Sequence, residues 1–302
     1  MMWLDIQIFG LRALWSPYFI TFVIALGVLY FLIVGPWRHK FTNDDIPPAK
    51  QQALFYFSLV VLYIVKGSPV DLLAHIMLTA HMIQTALFYF VFPVLFIKGI
   101  PVWIWRKVFS VPILKNILNI LRLPIISLLM FNAMLAIYHV PTIFDYTKSS
   151  LTIHTIAHII LLFAAFIMWW PIVSPIPEHN TMHPLIKMGY LAGSATIITV
   201  ACALIIFSTQ PMYMAYSSDG AWIQAMSLCV PQDVLVGLES TLSGPEMFSR
   251  MSTLHDQQLG GVLMQIMQTI VYAFTIGRIF FAWFKRENLK VDPIPEGMES
   301  IK

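Results

Sequence analysis

The chain has 302 residues, 58% hydrophobic, 14% aromatic and 11% charged, with a formal net charge of +3 and a mean hydropathy of +0.76. A soluble domain carries charge on roughly a quarter of its residues, and apolar runs near 20 residues recur here instead. The composition therefore excludes a soluble globular protein and a nucleic-acid-binding surface, and predicts one all-α, polytopic integral membrane domain over residues 1–302.

The first stretch, MMWLDIQIFGLRALWSP, has neither a basic leader nor a small-residue cleavage site, so the first run is expected to be a retained span. Seven spans are predicted, at 17–37, 51–66, 72–97, 123–140, 151–173, 185–207 and 259–284. Segment 101–121, with Trp103 and Trp105 beside Arg106, Lys107 and Lys115, suits a helix lying in the membrane interface. Segment 208–258 carries Pro, Ser, Gly and Asp and is expected to be an outer loop with short helices.

Basic residues orient the chain. Arg38, Lys40 and Lys50, then Lys98, Arg106, Lys107, Lys115 and Arg122, then Lys187, and finally Lys285, Arg286, Lys290 and Lys302 fall on one side. Arg278 lies within the last span near that side, and only Arg12, Lys66, Lys148 and Arg250 fall opposite. The amino terminus is thus expected outside and the carboxy terminus inside. The outer side also carries Asp5, Asp71, Asp145, Asp219, Asp233, Glu239, Glu246 and Asp256, an acidic excess that favours an arriving cation.

Six of the nine histidines fall on that outer side. His75 and His81 open the third span, His139 ends the fourth before Pro141, His154 and His158 open the fifth, and His255 precedes the seventh. His154 and His158 are four residues apart and share a helix face. Imidazole ligates copper, zinc, iron and haem alike; the thioethers of Met77, Met82 and Met251 near these histidines tilt the choice toward Cu(I). The inner pair His179 and His183, in PEHNTMHP, is broken by prolines and is expected to be a loop without metal. The two cysteines, Cys202 and Cys229, form no CxxC and are expected to be free thiols. No acid lies inside a predicted span, which excludes an ion pump built on buried carboxylates. With no Ser-His-Asp spacing, phosphate-binding glycine loop or HExxH, no enzyme is expected.

AHMIQTALFYFVFPVLFIKGIP (80–101), YHVPTIFD (138–145), HTIAHIILLFAAFIMWWPI (154–172) and STLHDQQLGGVLMQI (252–266), in this order, resemble the CtaG family. These are seven-span bacterial assembly factors of cytochrome c oxidase. The resemblance covers about residues 15–284 and makes His81, His139, His154, His158 and His255 the natural carry-overs. It implies a multi-pass protein of the bacterial plasma membrane that helps to form the copper B centre of oxidase subunit I, alongside other copper-delivery proteins and membrane lipid. Many relatives carry a second histidine after the HMxQ of the third span, where this chain has Thr85; His75 or Met82 would have to replace that ligand. Two alternatives remain. One is a haem-b electron carrier with His81 and His158 as axial ligands, and the other is a scaffold that holds no metal.

Overall fold

The computed structural model describes residues 6–238, 242, 244–249 and 251–288. Asp5, Glu239, Arg250, Lys290 and Lys302, which enter the charge reading above, lie outside the described residues, as do the side chains of Lys115 and Asp219. Most of the described residues are helical, and none lies in a strand. The helices are α1 (Gly10–Trp15), α2 (Pro17–Val34), α3 (Ala49–Gly67), α4 (Pro69–Ile76), α5 (Leu78–Gly99), α6 (Val102–Ser110), α7 (Pro112–Leu121), α8 (Pro124–Tyr138), α9 (Pro141–Lys148) and α10 (Leu151–Val173). They continue with α11 (Pro184–Ile206), four short helices, α12 (Met214–Ser217), α13 (Asp219–Met226), α14 (Gln232–Leu238) and α15 (Glu246–Ser249), and the long α16 (Thr253–Asn288).

Proline does much of the punctuation. It occupies the first helical position of α2, α4, α7, α8, α9 and α11, where a missing N–H leaves no bond unmade and the fixed φ suits the first turn. Five segments are long and apolar enough to cross a membrane: residues 7–34, α5, α10, α11 and α16. The count reaches seven if the bent pairs α3–α4 (43°) and α8–α9 (75°) each make one span. This gives the expected number as an upper bound, with different ends. The third span, expected to begin at 72, begins at Leu78, because the chain turns extended at Met77 (φ −138°, ψ 144°) and residues 69–76 form α4 instead. Segment 101–121 is two short helices, α6 and α7, and the last helix runs well past 259–284 at both ends.

The centre of the bundle is α5, packed by α3, α10 and α16, while α2 rests on α3 at the edge. Inside α5 a π-turn at Leu87–Val91 precedes Pro93. Proline has no N–H for the carbonyl four residues back, so that of Tyr89 is left free and the Trp169 indole of α10 donates to it at 3.0 Å. The loop helices do not float in solvent. Trp222, Met226 and Phe248 pack with Phe9, Leu14, Leu72 and Ile76 into a second core over α1 and α4.

Candidate histidine site

Five of the six outer histidines converge where α4, α5, α8 and α10 meet. Their rings form a chain: His75 to His154 at 5.4 Å between ring centres, His154 to His158 at 4.3 Å, His158 to His81 at 6.4 Å and His81 to His139 at 6.0 Å. All five are buried, His81 completely.

Each ring is positioned by its own element. His75 Nδ1 lies 2.8 Å from the Asp71 carbonyl and His139 Nδ1 2.8 Å from the Leu135 carbonyl, each one turn back. A carbonyl only accepts, so both Nδ1 atoms carry the proton and both Nε2 atoms present a bare lone pair. This is how a ligating imidazole is held by an outer partner. His75 Nε2, His139 Nε2, His81 Nδ1 and His154 Nδ1 have no hydrogen-bond partner although all are buried. They fall into two neighbouring pairs, His75 with His154 and His81 with His139. His158 differs, because Tyr89 OH meets its Nδ1 at 2.6 Å and Tyr138 OH its Nε2 at 3.2 Å. Both of its nitrogens are engaged, so it joins the two pairs as a hydrogen-bonded hinge. Thr85 lies with Oγ1 3.4 Å from His81 Nε2. A histidine there would stand beside His81.

The remaining expected ligands are placed elsewhere. His255 is exposed in the first turn of α16, its N–H on Ser252 Oγ at 3.3 Å. Met82 and Leu78 form the face of α5 that touches Gly260 of α16, next to the face bearing His81 and Thr85. Met77 packs in the second core with Leu72 and Trp222, and Met251 lies half-buried just before α16. Among the described residues no three His, Cys, Asp or Glu side chains form a group that holds a metal ion as they stand. Cys202 and Cys229 are both free.

Sequence reasoning missed the polar side chains that organise the cluster. Lys148 is buried at the end of α9, its Nζ 3.4 Å from the Ala74 carbonyl and over the rings of Phe144 and Tyr216. Tyr216 OH donates to the same carbonyl at 2.6 Å, and the Trp222 indole donates to that of Ile76 at 3.1 Å. A helix end leaves its last carbonyls without partners, and these three side chains satisfy the end of α4 next to His75. Their sequence signal is weak, since 74 to 146 residues separate donor from acceptor.

At the opposite end of the bundle the inner histidines are engaged or exposed. His179 Nδ1 accepts from the Trp170 indole at 3.2 Å, His183 Nδ1 accepts from the Leu185 N–H, and His39 is exposed. Burial, with Arg122 nearby, lowers the pKa of the His179 imidazole and keeps that lone pair available to Trp170.

No curated protein and no solved structure matches the chain. The family model described as cytochrome c oxidase caa3 assembly factor matches residues 28–286, a stretch that contains all five clustered histidines and both hydrogen-bonding tyrosines. The chain belongs to the CtaG family of cytochrome c oxidase caa3 assembly factors.

Proposed function

We propose that the protein carries copper, as Cu(I), on its histidine cluster at the outer side of the bacterial plasma membrane, and supplies or prepares the copper B centre of oxidase subunit I. The observation that supports this reading is the set of four buried imidazole nitrogens without partners, arranged as two pairs. A buried polar atom left unpaired costs about 1–3 kcal/mol, and an ion shared between two such nitrogens would remove that cost. Two imidazoles sharing one ion through bonds of about 2 Å stand with ring centres roughly 6 Å apart, close to the spacing of both pairs. A soft, singly charged ion that accepts two nitrogen ligands fits such a pair better than one that demands a tetrahedral cage.

As a carrier the protein makes and breaks only metal–ligand bonds, which agrees with a non-enzymatic role. Copper taken up at one pair passes to the next by ligand exchange, and the buried rings keep it from bulk water. The receiving site and any soluble copper-delivery protein upstream are the partners this requires. A haem between His81 and His158 is less well supported, because both nitrogens of His158 hold tyrosine hydroxyls and Phe144 packs 5.1 Å from His81.

The test is metal analysis and an optical spectrum of the protein purified under reducing conditions. His81→Ala and His154→Ala each remove one of the two pairs, and each should lower the copper bound by the wild type about twofold. Cells carrying either variant should contain oxidase that lacks copper B yet retains haem. His158→Gln, which keeps hydrogen bonding, should retain most of the copper. Well-folded wild type without copper would reject the carrier reading, and a Soret band would replace copper by haem.

A further inference from the structure

At the basic end of the bundle, α5, α6, α7 and α10 enclose a cavity of about 240 Å³. Its wall is apolar, running from Phe163 and Ile167 on α10 to Trp170 and Phe109. Phe163 and Trp170 are seven residues apart on one helix, so the wall extends about 10 Å from the basic end toward the middle of the bundle. Phe163 is 47% exposed on a helix long and apolar enough to cross a membrane, and the cavity therefore opens sideways to lipid. Arg122, just after α7, is the one charged side chain in the lining. It stands at the basic end, where its charge reaches His179, whose ring packs on Phe109 at 4.8 Å. Its Nε donates to Asn119 Oδ1 at 3.1 Å, while Nη1 and Nη2 make no hydrogen bond and are not buried. Among the described residues no acid pairs with it, since Glu178 is held by Arg106 at 3.0 Å.

We infer that this cavity holds one acyl chain of an anionic phospholipid whose phosphate sits on Arg122. The guanidinium sets the head. It carries only donors, and its two open nitrogens form a fork that matches two oxygens of one phosphate. With Arg106 neutralised by Glu178, one positive charge is left for one phosphodiester. Size sets the rest: at the ~30 Å³ that one water occupies in the liquid, the cavity holds about eight heavy atoms, a segment of a single chain. The open side at Phe163 leaves the second chain in the surrounding leaflet. Basic pockets between membrane helices on the cytoplasmic side are where anionic head groups bind, and α6 and α7, with Trp103 and Trp105, have the character of helices lying at head-group depth. A lipid seated here ties these two short helices to α10. The histidine cluster lies at the other end of α10, so the inference does not depend on copper.

Native mass spectrometry of the full-length, delipidated protein in detergent tests this, with dioleoylphosphatidylglycerol, dioleoylphosphatidylcholine, oleate and glycerol 3-phosphate as separate probes. One phosphatidylglycerol adduct per chain is expected, retained about tenfold better than the zwitterionic lipid with the same chains. Arg122→Gln should bring phosphatidylglycerol down to the level of phosphatidylcholine. Leu118→Trp, which fills the cavity, should lower retention of phosphatidylglycerol about tenfold, and Val108→Trp takes its place if that variant does not fold. Equal retention of the two phospholipids, an undiminished preference in folded Arg122→Gln, or full retention in a folded filling variant would overturn the assignment. So would oleate or glycerol 3-phosphate retained as well as phosphatidylglycerol, because the site would then need only a carboxylate or only a phosphate.

Discussion

The carboxylate of Asp256 fixes where the histidine-bearing part of α5 begins. Met77 precedes that helix and its side chain cannot accept from the first N–H groups. Asp256, from the first turn of α16, takes the Leu78 N–H at 2.6 Å and the Thr79 N–H at 3.2 Å, and Thr79 Oγ1 returns a bond to its carbonyl. A negative charge at a helix start is also favoured by the dipole. Asp256→Ala should therefore destabilise the protein by about 1–2 kcal/mol, the worth of a strong N-cap. His81 sits three residues into the capped helix, so metal retention should fall along with the thermal midpoint in detergent. A loss of stability with full metal retention would separate the cap from the site. The histidines themselves were legible in the sequence as residue types on one side. Their individual states were not, because which nitrogen is free depends on carbonyls and hydroxyls that only the fold brings near.

At the scale of elements, the motif residues other than histidine act as fasteners around the cluster. In YHVPTIFD, Asp145 accepts from the Met214 and Ala215 N–H groups and so starts α12, while Tyr213 OH reaches the His139 carbonyl. In STLHDQQLGG, Gln257 accepts from the Met212 N–H and Gln258 donates to the Ser208 carbonyl. His139 ended its helix as Pro141 foretold, and His154 and His158 share a face as their spacing required. The break at Met77 was not foreseen, because hydropathy reads through it. The partners that satisfy the end of α4 come from α9 and the loop helices, far along the chain. Close helix contact also rests on single residues. At Gly99 a Cβ would lie 2.6 Å from the backbone N and Cα of Phe55, where α5 crosses α3. Backbone cannot yield as a side chain can, so Gly99→Ala must part the two helices, at a cost of about 1–3 kcal/mol for overpacking. A lowered thermal midpoint with the histidine site intact is the expected result, since the contact lies at the far end of α5 from His81. An unchanged midpoint would mean that the helices do not approach this closely.

For the whole molecule, the basic loops and the five-histidine cluster lie at opposite ends. Around Lys98 the carbonyls of Lys98 and Ile100 hold Gln51, Arg106 pairs with Glu178 at 3.0 Å, and Lys187 bonds Asn180, so the basic loops meet at one end of the bundle. The five histidines and the loop helices meet at the other, one length of α5 and α10 away. The positive-inside rule predicts a direction for this arrangement, with the basic end in the cytoplasm and the histidine end outward. A reporter fused after Lys302 or placed within 102–110 should behave as cytoplasmic, and a tag within 219–226 as external. This follows only if each bent pair, α3–α4 and α8–α9, crosses as one span. Were only one pair re-entrant, the chain would cross six times and its two termini would share a side; were both re-entrant, it would cross five times, and segment 102–110 would change sides instead. The carboxy-terminal reporter measured against one at the amino terminus separates six spans from an odd number, and the reporter within 102–110 then separates five from seven. Reporters on the same side would overturn seven spans, and an external carboxy terminus would put the histidines on the side from which copper B cannot be supplied from outside.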